Sequence, residues 1–324
     1  MSRISVQTGV DYYSKVLSGK LMFYLLLYGT LHSTRLSQSG LCDIFSSPLF
    51  RVLFSIKGKR ELSHRSISER LSRIDVSFFR QVYECLYSRL SSLYTKKEIA
   101  GIYLERVDST LVSESSNKLK SGLTMGNQKY QGKMIKYTIT FDGIFASLAN
   151  SYSDKKFSSA TLPLLNNVLE HYEVLDRYLK KEEVNYPNGK PSQHMFLCQT
   201  PFRIIRFRVK GKDSVILLIT NIMHLSASEI ASMYKERWKI EVFFRFIKQE
   251  LKFSHFLSLD NNGIEVFLYM SVITAMLVMI YKKENQLGYR TTTRRVMIEL
   301  ESLATAIIVL PVGGDVSKTE LPEP

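Results

Sequence analysis

Tyr234-Lys235-Glu236-Arg237-Trp238-Lys239-Ile240-Glu241-Val242-Phe243-Phe244-Arg245-Phe246-Ile247-Lys248-Gln249-Glu250 sets the acid Glu241 among basic groups in a stretch of helical period. Upstream, Ser226 suits an N-cap, and Glu229 stands three residues later as its capping-box partner. Leu225 and Ile230 occupy the positions of a hydrophobic staple. The helix is therefore expected to start at Ala227. At about 100° per residue, Met233, Ile240, Phe244, Ile247 and Leu251 form one buried stripe, and Tyr234, Arg237, Glu241, Arg245 and Lys248 gather on its flank. A carboxylate among cations on a helix edge suits a metal and phosphate site; the alternative is an amphipathic helix with solvated charges.

Tyr234, Arg237, Glu241 and Lys248 follow the spacing Tyr, two residues, Arg, three residues, Glu, six residues, Lys. This resembles the signature of a group of bacterial insertion-sequence transposases within the Asp-Asp-Glu recombinases. Surrounding text is similar too: Leu218-Ile219-Thr220-Asn221 and Ser226-Ala227-Ser228-Glu229-Ile230 before it, Leu259-Asp260-Asn261-Asn262-Gly263-Ile264 after it. The resemblance implies that Glu241 is the third catalytic acid and that Tyr234, Arg237 and Lys248 handle DNA phosphate.

The chain has 324 residues, enough to bury a substantial core in two domains. Lys and Arg total 44 against 30 Asp and Glu, a formal charge of +14. That balance favours a polyanionic partner, without separating DNA from RNA or an anionic membrane. Cys42, Cys85 and Cys198 are too few and too scattered for a disulfide framework or zinc ribbon, which fits a reducing cytoplasm. His32, His64, His171, His194, His224 and His255 include no pair at zinc-motif spacing. No basic region leads into an apolar secretory signal at the N-terminus. The longest apolar run, Val266 to Tyr281, falls short of the roughly 20 residues that span a bilayer, so a buried helix and no membrane partner are expected.

Residues 1–100 read as helical. Lys20 to Tyr28 begins an apolar helix, and Leu62 to Ile74 sets repeated basic residues beside spaced Leu and Ile. This could be a DNA-binding module with a basic face, or a helical cap over a catalytic core; the text resembles the transposase N-terminal region that contributes to recognising element ends. From Ile102 the period changes. Ile102 to Asp108 reads as a strand ending in an acid, Lys133 to Phe141 and Ile144 to Tyr152 as two strands joined at Asp142-Gly143, Thr161 to His171 as a helix, and Tyr172 to Asp176 as another strand ending in an acid. Strands followed by a helix bearing Glu241 give the order of a ribonuclease-H-like mixed sheet with flanking helices, an α/β class. Phe202 to Val209 and Ser214 to Thr220 read as a further β pair, a short insertion, and Lys180 to Gln193 as a loop. The expected organisation is a helical DNA-end-binding domain over 1–100, a catalytic domain over 101–310 and a tail over 311–324.

Transfer of a DNA phosphodiester needs a nucleophile in line with the leaving oxygen and cations to stabilise the charge between them. Asp108, followed by Ser109-Thr110, resembles the family's first catalytic motif. The resemblance implies metal ligation by Asp108, Asp176 and Glu241, two Mg²⁺ ions with Mn²⁺ as a substitute, and attack by water or a 3′ hydroxyl. It further implies double-stranded DNA partners, both element ends and target, and a dimer on DNA. Relatives carry the second acid in Asp-Arg-Gly after a strand, whereas here Asp176-Arg177 is followed by Tyr178. They also place a long β-rich insertion before the Glu helix, while only 64 residues separate Asp176 from Glu241. Either Asp176 is the second acid beside a trimmed insertion, or an internal deletion removed the original; Asp142 and Asp154 are the substitutes, the first at a hairpin turn and the second in a loop. A basic DNA path is expected from Lys118, Lys120, Lys129, Lys133, Arg237, Arg245, Lys248 and Lys252, which flank the acids.

Overall fold

The computed structural model describes residues 1–32, 36–58, 60–94, 106–114, 119, 123–127, 130–142, 145–152, 203–208, 215–220, 222–251 and 256–312. Within them the chain is mostly helical with a small antiparallel sheet, and it divides into two compact units. One is Met1–Asp154 with Lys239–Pro324; the other is Lys155–Trp238. The strand expected over 172–176, the helix before it and the loop after it lie outside the described residues, as does most of the tail.

In the first unit the opening helices are α1 (Ser2–Thr8), α2 (Gly19–His32), α3 (Gln38–Ser46), α4 (Pro48–Leu53), α5 (His64–Arg73) and α6 (Val76–Ser91). They share one apolar core with the sheet and with the C-terminal helices α9 (Asn261–Asn285) and α10 (Tyr289–Val309). The long apolar run lies within α9, which packs on α2, α5, α6 and α10. By length and composition α9 could cross a membrane, but 78% of its most apolar window is buried in the protein, the mark of a core helix.

The text from Leu259 to Ile264 serves this packing. Asp260 caps α9 by accepting from the Asn262 backbone N–H at 3.1 Å. The Asn262 amide donates to the carbonyls of Leu71 and Ile74, both at 2.8 Å, filling acceptors left open at the end of α5. A Cβ on Gly263 would stand 2.5 Å from Ser258 Cβ and 3.2 Å from Leu71 Cβ, so glycine permits the close approach.

Not every basic residue of α5 faces solvent. Arg70 donates to the carbonyls of Leu17 at 2.8 Å and Val10 at 2.7 Å and pairs with Asp11 at 3.8 Å. Burial pushes its guanidinium below the ordinary value. Arg65 and Arg73 are exposed, so the expected basic face is narrower than the sequence suggests.

The sheet is built on β3 (Tyr130–Phe141). Along one edge runs β1 (Arg106–Glu114), from Arg106 opposite Phe141 to Glu114 opposite Lys133. On the other edge β2 (Leu123–Asn127) and β4 (Ala146–Tyr152) pair with successive parts of β3. All these pairings are antiparallel. The expected hairpin at Asp142 is present, while β2 was not legible in the sequence. Tyr83 of α6 donates to the Ala146 carbonyl at 2.8 Å and Tyr87 to Asp142 Oδ2 at 2.9 Å, fastening α6 to this hairpin.

In the second unit β5 (Arg203–Arg208) and β6 (Val215–Thr220) form the antiparallel pair expected there. Ile205, Leu218 and Ile230 make a small core against which Ile222 and Leu225 pack. Ile230 belongs to α7 (Ala227–Glu236), which begins where the capping signal places it: Ser226 and Glu229 form both bonds of the capping box.

Candidate active site

Asp108 is the third residue of β1, with Ile139 directly across on β3. The expectation that it ends a strand is corrected here, because β1 continues in register to Glu114. Residues paired directly across a sheet share a face, and alternate residues along a strand return to it. Arg106, Asp108 and Val112 therefore share the face of Ile135, Tyr137, Ile139 and Phe141. These five apolar or aromatic side chains are 0–3% exposed, so Asp108 projects from the core side of the sheet and is itself half-buried.

Glu241 lies in the first turn of α8 (Trp238–Gln249), and Lys248 in its last turn. Each charge thus complements the helix dipole at its own end. Ile240, Phe243, Phe244, Phe246 and Ile247 are buried, which fixes the rotation of α8 and leaves Glu241 half-buried on the flank with Arg245 and Lys248. Burial pushes the Lys248 ammonium below its ordinary value, whereas Arg245 is exposed. The Phe243 ring stacks on Phe141, centroids 5.1 Å apart and planes at 20°. Since Phe141 shares its sheet face with Asp108, α8 docks on the face that carries the first candidate acid.

The single helix expected through the signature is two. Arg237 separates α7 from α8, its N–H bonding back to Tyr234 O at 3.0 Å in the tighter pattern of a helix end. Its guanidinium lies over the Tyr234 ring, 5.5 Å from the centroid, a cation–π contact that orients both side chains. The two residues belong to the second unit, and Glu241, Arg245 and Lys248 to the first.

Lys133, expected on a DNA path, donates to the Leu119 carbonyl at 2.7 Å and so has a local structural partner. Asp142 is a turn acid: Oδ1 accepts from the Phe145 N–H at 2.7 Å and Oδ2 from Tyr87 at 2.9 Å. Asp154, Asp176, Lys118, Lys120, Lys129 and Lys252 lie outside the described residues. Among the described residues no three His, Cys, Asp or Glu side chains cluster as a metal site. Asp108 and Glu241 supply the hard carboxylate oxygens that Mg²⁺ prefers, so the donor chemistry fits that ion. The narrow stripe read from the sequence, through Ile240, Phe244, Ile247 and Leu251, passed over Phe243, and the reading also overlooked buried Arg106, which strand alternation from Asp108 would have flagged.

A family model described as a transposase DDE domain matches residues 107–277, just over half of the chain. A putative transposase of Sinorhizobium fredii is 38% identical over 88 residues, 27% of this chain and 25% of that protein. A probable insertion-sequence transposase of Geobacillus stearothermophilus is 38% identical over 77 residues, 24% of this chain and 20% of the relative. A putative insertion-sequence transposase of Synechocystis is 26% identical over 241 residues, 66% of this chain and 70% of the relative. The chain thus aligns with about a quarter and a fifth of the first two relatives' lengths. No solved structure matches it. The family match begins one residue before Asp108, runs through Glu241 and ends within α9, and the chain belongs to the family of transposases with a DDE domain.

Proposed function

We propose that the protein is an insertion-sequence transposase, in the group with the Tyr-Arg-Glu-Lys signature, that cleaves DNA at element ends and joins them to a target. The observation that carries this reading is the Phe141–Phe243 stack, which docks the helix bearing Glu241 on the sheet face bearing Asp108. The reading includes a ribonuclease-H-like catalytic domain over 101–310, end binding by 1–100, a tail over 311–324, cytoplasmic location on DNA and a dimer on the paired ends.

Asp108, Glu241 and Asp176 would hold two Mg²⁺ ions, or Mn²⁺ in their place, which would stabilise charge on the entering and leaving oxygens. Asp108 has a direction set by β1 and Glu241 one set by the buried side of α8, so neither carboxylate depends on a loop for its position. Arg237 can grip a phosphate through two parallel N–H donors, with Tyr234 beneath its guanidinium. Lys248 adds a partly desolvated positive charge, and Arg245 an exposed one. In the mechanism that the family resemblance implies, phosphate contacts of this kind would serve in-line attack by water or a 3′ hydroxyl.

A second reading is a catalytically defective remnant that still binds DNA, favoured by the 64 residues between Asp176 and Glu241. Mg²⁺-dependent cleavage of the element's own terminal DNA distinguishes the two. An active enzyme cuts, and Asp108→Asn, Glu241→Gln and Asp176→Asn each abolish cutting while retaining binding. A wild type that binds ends without cutting them, beside an active control transposase, identifies the remnant. Cutting by wild type that persists in Asp176→Asn removes Asp176 from the site, and cutting that persists in Asp108→Asn overturns the proposal.

A further inference from the structure

Between the turn that follows α1 and helix α5, the first unit holds a cleft of about 580 Å³, within the size range that receives a single small molecule. Its floor is apolar, with Val10 and Leu17 buried and Leu62 half-buried. Its wall is braced before anything binds: Arg70 donates to the Val10 and Leu17 carbonyls at 2.7 and 2.8 Å, and the Gly19 N–H donates to Asp11 Oδ1 at 2.6 Å. A wall held in this way loses little conformational freedom to a ligand.

The groups at the mouth point to the ligand's chemistry. The Tyr13 ring is 90% exposed there, and Tyr12, 82% exposed, stands edge-on to it with centroids 4.8 Å apart. Lys15 and Arg73 are exposed on the rim, and so are Glu61 and Asp75. Carboxylates in the path of a continuous run of phosphates would repel it, so the cleft does not suit a phosphate track. A single nucleotide matches the mixture better: its phosphate is negative, while its base offers flat apolar faces and edge N–H groups that a carboxylate accepts. Residues 1–75 carry eleven Lys or Arg against five Asp or Glu, which draws a polyanion to this part of the chain.

We infer that this cleft takes an unpaired nucleotide of a DNA strand, its base stacked on Tyr13 over the apolar floor and its phosphates held by Lys15 and Arg73. A base inside a duplex has both faces covered by its neighbours, so the strand must be single at that point. The inference rests on DNA-end binding by residues 1–100 and adds the form of DNA that this part of the chain recognises.

The test titrates the full-length protein with two labelled probes, a short oligothymidylate and the element's terminal duplex, and wild type is expected to bind both. Tyr13→Ala should weaken oligothymidylate binding by about tenfold, the effect of removing one stacking partner, while Tyr13→Phe keeps the ring and stays near wild type. Lys15→Gln and Arg73→Gln should each lower the single-strand salt slope by about 0.7. A 5-iodouracil within the oligothymidylate, irradiated in the complex, should cross-link to Tyr13 or Tyr12. Cross-links confined to other residues overturn the inference, as does a single-strand affinity unchanged in Tyr13→Ala. Thymidine monophosphate that binds as tightly as the oligothymidylate makes the ligand a free nucleotide and overturns the assignment to a strand. Duplex binding without oligothymidylate binding overturns the inference and leaves end binding standing; failure of the duplex alone overturns end binding and leaves the cleft a single-strand site; failure of both probes overturns both.

Discussion

Phe141 at the end of β3 and Phe243 on α8 stack with ring centroids 5.1 Å apart, joining parts of the chain separated by about a hundred residues. Phe141 is 2% and Phe243 1% exposed, so the contact is dry. Phe243 stands two residues from Glu241, and Phe141 lies opposite Arg106, two residues from Asp108. A single aromatic contact therefore couples the strand and the helix that carry the two described candidate acids.

Replacing that ring tests the coupling. Phe243→Ala is expected to cost about 3–5 kcal/mol of stability, the usual range for emptying a buried phenylalanine site. Urea denaturation of the variant measures this. A loss under about 1 kcal/mol would mean that the site collapses without consequence and that the stack does not anchor α8.

Asn262 offers a test of the helical core away from the site. Its amide donates to two carbonyls at the end of α5, and Asn262→Ala leaves both without that donor. The expected cost is about 1–3 kcal/mol in urea denaturation, with little change in DNA binding. A substitution that is neutral for folding would contradict the role assigned to the Leu259–Ile264 text.

The flank of α8 makes a claim about salt. If Arg245 and Lys248 each meet a phosphate, the slope of log affinity against log salt should shrink by about 0.9 for each one neutralised. Titrating terminal DNA with Arg245→Gln, Lys248→Gln and the double variant at several salt concentrations reads this directly. Equal slopes for all four proteins would place both side chains off the DNA.

Alkaline pH should weaken one contact between α9 and α10. Tyr281 donates to the Glu299 carboxylate, and burial together with that bond pushes its phenol from 10.0 up to about 12. The folded state thus favours the protonated phenol. Its contribution is complete below pH 10, the unfolded value, and is lost as pH rises through about 12. Wild type should accordingly exceed Tyr281→Phe in urea midpoint at neutral pH, and the difference should fade above pH 10; an advantage that grows with pH would reverse the sign.

Features with local causes were legible in the residues alone. Ser226 and Glu229 set the start of α7 because a capping box closes within one turn. Alternation marked β3 and β4, and Asp142-Gly143 marked the turn between them. The spacing of Tyr234, Arg237, Glu241 and Lys248 carried the family resemblance. Tertiary structure decided what depends on distant partners. Strand pairing chose the face of Asp108 and the depth of Arg106, since a shift of one residue would have reversed both. Tyr87 and the Phe145 N–H made Asp142 a structural acid, and the carbonyls of Val10 and Leu17 drew Arg70 away from solvent. Periodicity reports which side of an element is apolar. Only packing decides which neighbour covers that side, and so which charges are buried with it.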